Sequence, residues 1–112
     1  IKSLGAYHSS NDLRVADVTV LTDKTKITAK VNNIGIDSVA FQINGTTMVK
    51  AKVKNGTATV TVDTSVIDIT GGYNCVTIYA IDSAGDYIYD EEHSIKGNYN
   101  QVVSNYKYFV IK

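Results

Sequence analysis

An all-β fold, an antiparallel sandwich of two sheets, is what this sequence predicts, and three observations carry the prediction. Apolar and polar residues alternate at period two in segment after segment, the pattern of strands with one wet face. Threonine, valine, isoleucine and tyrosine dominate, the β-branched and aromatic types that suit a pleated, half-buried surface. Asn-Gly and other turn signals punctuate the chain at short intervals, and no window longer than a turn shows helical periodicity. At 112 residues, 44% of them hydrophobic, a single domain can bury a core without disulfide or metal.

The elements follow in order. Ile1 to Arg14 is an edge strand or lead-in with a polar loop at His8-Ser9-Ser10-Asn11-Asp12. From Val15 to Leu21, alternation sets Ala16, Val18 and Val20 on one face and Asp17 and Thr19 on the other. Thr22-Asp23-Lys24 turns the chain, and Lys26 to Asn32 returns with Ile27, Ala29 and Val31 inward. After a loop at 33–37, Val39, Phe41 and Ile43 alternate with Ala40 and Gln42. Asn44-Gly45 is a hairpin signal, because both residues tolerate the positive φ of a type I′ turn. Val49, Ala51 and Val53 then alternate with Met48, Lys50, Lys52 and Lys54, and after Asn55-Gly56 the inward set is Ala58, Val60 and Val62. Three consecutive antiparallel strands are expected here. Asp63 to Gly72 is a longer crossing with a helical turn around Ser65-Val66-Ile67. A strand from Tyr73 to Ile81, a turn at Asp82 to Asp86, a further strand opening at Tyr87 to Tyr89, and a last strand from Val103 to Ile111 complete the chain. The runs number eight or nine.

Three phrases carry a family likeness. They are Gly35-Ile36-Asp37-Ser38-Val39-Ala40-Phe41 leading into Asn44-Gly45, then Lys54-Asn55-Gly56-Thr57-Ala58-Thr59-Val60, then Gly72-Tyr73-Asn74-Cys75-Val76-Thr77-Ile78-Tyr79-Ala80-Ile81-Asp82-Ser83-Ala84-Gly85. In these the chain resembles the bacterial immunoglobulin-like domains of cell-surface proteins and of wall- or polysaccharide-acting enzymes. The resemblance implies an immunoglobulin-like antiparallel β-sandwich of seven to nine strands, serving as spacer, adhesion element or ligand-binding module. It also implies a secreted or cell-surface location, with neighbouring domains of a parent chain as partners. A start at Ile1 rather than methionine fits excision from such a parent. Tyr73-Asn74-Cys75 mimics the tyrosine corner of these folds. Counting back from Ala80, however, puts Ile78, Val76 and Asn74 inward, so either a bulge lies near Cys75 or there is no corner.

Composition excludes several functions. Eleven basic residues balance eleven acidic ones, leaving no bulk charge to hold nucleic acid or an anionic membrane. No run approaches the roughly eighteen apolar residues of a membrane helix, and no signal-peptide pattern opens the chain. The single Cys75 excludes an internal disulfide. Together with His8 and His93 it is thin material for nucleophilic catalysis or a metal centre. Residues 1–54 carry eight basic and four acidic groups, and residues 55–112 carry three and seven, so the halves stand at +4 and −4. Lys50, Lys52 and Lys54, with Lys24, Lys26 and Lys30 upstream, could meet a wall polyanion. The competing reading is a solvated edge strand whose lysines discourage aggregation.

Two candidate sites remain. Asp82, Asp86 and Asp90, followed by Glu91 and Glu92, are candidate metal ligands, since clustered hard oxygens are what calcium takes. The preferred alternative is a hairpin turn that uses Asp and Gly for backbone geometry. The second site is aromatic. Tyr87 and Tyr89 share one strand face and Tyr106 and Tyr108 share another, with Tyr79 and Tyr99 nearby in sequence. If those strands pair, the four are candidate ligand-binding residues on a flat platform suited to the sugar rings of a cell-wall or plant polysaccharide. Cross-strand packing at about 0.2–1 kcal/mol per aromatic pair competes with that reading, and the absence of tryptophan favours it. The expectation is a monomeric, non-catalytic spacer or docking module without a cofactor. A tyrosine-lined carbohydrate-binding module is the alternative.

Overall fold

Alternation becomes burial in the computed structural model, which describes residues 12–67, 72–89 and 102–110. Strands β1 (Leu13–Val20), β2 (Lys24–Val31) and β5 (Thr57–Asp63) form one antiparallel sheet in the order β1-β2-β5. The second sheet has the order β4-β3-β6-β7, from β3 (Ser38–Ile43), β4 (Thr47–Lys52), β6 (Asn74–Ile81) and β7 (Ser104–Phe109). The seven strands make an immunoglobulin-like antiparallel sandwich in which the fourth strand lies beside β3 rather than beside β5. Leu13, Ile27 and Ala29 from the first sheet and Val39, Phe41, Ile43, Val76 and Ile78 from the second are wholly buried in one core. Each large aliphatic or aromatic side chain so buried contributes about 1.5–3 kcal/mol.

Four local expectations change. The pairing of β1 with β2 skips a residue between Val15 and Asp17, so Ala16 is a β-bulge that resets the alternation. Leu13, Val15 and then Val18 therefore turn to the core, while Ala16 and Val20 are exposed. Second, the three consecutive strands are not one meander. β4 pairs with β3, but β5 pairs with β2 in the opposite sheet, and only the Lys54–Thr57 bridge joins the two sides of the Asn55-Gly56 turn. Val53 has already left the sheet to donate to the Asp37 carbonyl at 2.9 Å, and Val31 donates to the Gly56 carbonyl at 2.8 Å, guiding the chain across. Third, Tyr87 and Tyr89 make isolated bridges rather than a strand, so the described residues hold seven strands, not eight or nine. Fourth, β6 runs without a bulge against both neighbours and Tyr73 is exposed, so there is no tyrosine corner. The expected lead-in at Ile1 to Asn11 lies outside the described residues.

The two Asn-Gly turns share a backbone but not their surroundings. Asn44 and Gly45 have φ of +52° and +74°, and Asn55 and Gly56 have +54° and +78°, as type I′ geometry requires. Asn44 is also tied into the core. Its Oδ1 accepts from the Cys75 N–H at 2.9 Å, and its Nδ2 donates to the Val66 carbonyl and to Asn74 Oδ1, each at 3.0 Å. Val66 closes a short 3₁₀ turn, Thr64–Val66, capped by the Asp63 carboxylate accepting from the Ser65 N–H at 3.1 Å. Asn74 is fully buried, and its Nδ2 has no partner among the described residues.

Candidate functional site

The tyrosines gather on the outer face of the four-stranded sheet. Val76, Ile78 and Ala80 of β6 point to the core, which forces Cys75, Thr77 and Tyr79 outward. In β7, Tyr108 lies opposite Cys75, Tyr106 opposite Thr77 and Ser104 opposite Tyr79, so Tyr106 and Tyr108 share this outer face. Beyond the turn at Asp82 to Asp86, Tyr87 bridges to Ile81 and Tyr89 to Val102. Ile88 between them is buried and donates its N–H to the Ala80 carbonyl at 3.1 Å, which turns both neighbouring tyrosines away from the core. Tyr87, Tyr89, Tyr106 and Tyr108 are 45%, 52%, 61% and 61% exposed.

The rings do not form one flat platform. Tyr106 meets Tyr108 edge to face, with centroids 5.4 Å apart and planes at 78°. Tyr87 meets Tyr79 in the same way at 5.8 Å and 74°. The ring quadrupole prefers this arrangement, and it makes two notches, each walled by a ring face. Tyr79, which alternation alone leaves as a neighbour of the candidates, is central to one of them. Its hydroxyl donates to Gln42 Oε1 at 3.1 Å. With Gln42, Met48, Tyr87 and Val102 it lines an open cavity of about 280 Å³. Tyr73 and Tyr108 line a second cavity of about 310 Å³. Tyr99 lies outside the described residues.

Lysine and small residues complete the face. Across the sheet, Lys50, Ala40, Tyr79 and Ser104 stand in one row. Ala40 is wholly buried although it faces outward, being a methyl group between two long side chains. The basic residues do not form one stripe. Lys24, Lys26 and Lys30 are exposed on the outer face of the three-stranded sheet, while Lys50 and Lys52 lie on the opposite side of the molecule. Lys52 is paired with Asp37 at 3.2 Å.

The aspartates serve the turn. Asp82 Oδ1 accepts from the N–H groups of Ala84 at 2.9 Å and Asp86 at 3.0 Å. The Asp82 carbonyl accepts from the Gly85 N–H at 3.0 Å, and Gly85 has φ +89°. The Asp86 N–H foremost, and that of Ala84, hold the Asp82 carboxyl below the usual carboxylate range. Asp90, Glu91 and Glu92 lie outside the described residues, as do His8 and His93. Among the described residues no group of three His, Cys, Asp or Glu side chains could hold a metal ion. Cys75 is half-buried, its Sγ 3.9 Å from Thr77 Oγ1.

No protein-family model matches the chain, and no curated protein matches it. Among solved structures, the Se-Met labeled beta-glucosidase from Kluyveromyces marxianus is similar at 14% sequence identity and a TM-score of 0.42. The match covers 90% of this chain and 14% of that one, so this chain spans a small part of that enzyme's length.

Proposed function

We propose that this domain is a non-catalytic interaction module of a secreted or cell-surface bacterial protein, and that its ligand is a carbohydrate chain. The bacterial immunoglobulin-like resemblance supports the first part. The observation that carries the second is exposure: Tyr87, Tyr89, Tyr106 and Tyr108 are all exposed, Tyr87 lining one open cavity with Tyr79 and Tyr108 lining another with Tyr73. Contiguous exposed aromatics are a recognised sign of a binding surface. A tyrosine ring offers its face to a sugar's C–H groups and its hydroxyl to a sugar oxygen, at small cost in side-chain ordering. Shallow stacking of this kind corresponds to millimolar to micromolar affinity, about −4 to −8 kcal/mol. An array of plant and bacterial wall polysaccharides tests the proposal. Saturable binding that Tyr106→Ala or Tyr108→Ala removes, with little change in melting temperature, is the expected result. Blank wells throughout would leave the spacer reading. One feature favours that second reading: Ile34 is 80% exposed beside a cavity of about 420 Å³ lined in part by Val31, Ile36 and Val53, a surface on which a neighbouring domain could dock.

A further inference from the structure

We propose that the carbohydrate held at this face is acidic: a polyuronate whose carboxylate meets Lys50 while a neighbouring ring stacks in the Tyr79–Tyr87 notch. The inference rests on the carbohydrate reading and adds the charge of the ligand. Its basis is the row of Lys50, Ala40 and Tyr79 across β4, β3 and β6. Two strand spacings, about 9.5 Å, separate the backbones of Lys50 and Tyr79. Ala40 between them is wholly buried, so the Lys50 and Tyr79 side chains close over it and stand next to each other on the surface. Lys52, the other lysine on this face, already has a carboxylate in Asp37 at 3.2 Å, whereas Lys50 has none among the described residues. Among the described residues its charge is thus the uncompensated one on this part of the face. Asp82 and Asp86 sit past Ile81, at the end of β6.

Both arms of the test use one backbone: polygalacturonate, and the same polymer fully methyl-esterified. Retardation of the intact domain in gels containing each polymer gives the affinities. The domain should bind polygalacturonate, lose most of that binding on esterification, and weaken further as salt is raised. Lys50→Gln should weaken binding to polygalacturonate by up to about fivefold, the upper end for one exposed ion pair, and Lys50→Arg should restore it. Equal binding to both polymers, or no effect of Lys50→Gln, would overturn the acidic-ligand inference and leave the carbohydrate reading standing. Failure to bind either of them, or any neutral glycan on the array, would overturn both.

Discussion

Replacing Asn44 by glycine should unfold far more of this domain's stability than replacing Asn55 by glycine, although the two positions occupy the same kind of turn. Glycine accepts a φ of +52° or +54° without strain, and the entropic cost of a freer unfolded chain is common to both changes. The difference lies in the side chain. Asn44→Gly deletes the bonds to Cys75 N–H, the Val66 carbonyl and Asn74 Oδ1. At about 0.5–1.5 kcal/mol net for each, their loss costs about 1.5–4.5 kcal/mol. It also strips the donor from Asn74 Oδ1 on a fully buried residue whose Nδ2 already lacks a partner. A buried group left unsatisfied costs about 1–3 kcal/mol, which places the expected total near 3–4 kcal/mol once relaxation is allowed. Asn55 is exposed and makes no side-chain hydrogen bond among the described residues. Asn55→Gly should therefore stay within about 0.5–1 kcal/mol. Equilibrium unfolding in urea gives both values from the shift in midpoint at constant slope. Equal losses for the two variants would refute the role assigned to the Asn44 network.

Two further outcomes are expected. Gly45→Val and Gly56→Val should each lower stability by about 1 kcal/mol or more, because a β-branched residue resists the φ values of +74° and +78° found there. Space is not the obstacle, since a Cβ on Gly56 would meet the Val31 carbonyl oxygen at an ordinary 3.5 Å and one on Gly45 would meet nothing within 4 Å. Unchanged thermal melts for both would overturn the turn assignment. Asp82 should contribute to acid sensitivity: its folded pKa lies below the ordinary 3.8, so its stabilisation is fully present above that pH and is lost as pH falls through the folded value. Asp82→Asn should flatten the acid limb of a stability-against-pH curve, and an unaltered limb would show that the turn carboxylate is not engaged in solution.

Period-two alternation made the strands legible, and it located Tyr79 on the outer face because Val76, Ile78 and Ala80 leave it no other side. It failed at Ala16, where a single inserted residue reverses the inward set and no local chemistry announces the bulge. The Asn-Gly pairs announced their turns but not their sheets. Asn55-Gly56 makes a two-residue reversal whether the next strand returns to its neighbour or crosses over, and only the long-range match of Ala58, Val60 and Val62 with Ala29, Ile27 and Thr25 decides between them. The aspartate turn was legible because its bonds are local. The ring angles were not, since edge-to-face contact depends on rotamers chosen after the strands have met.

The crossover at Asn55-Gly56 also bears on how the chain reaches its final state. β2 must find β5 across the β3–β4 hairpin, and β3 must find β6 across β4 and β5. Each of these closures encloses a strand belonging to the other sheet, so each carries the entropy of a long loop. Among the described residues the pairings between chain neighbours within a sheet are β1–β2, β3–β4 and β6–β7, and the first two are the short-range hairpins available for early formation. Loop-closure entropy falls due before the long-range pairings give anything back, which sets folding on the order of milliseconds to seconds.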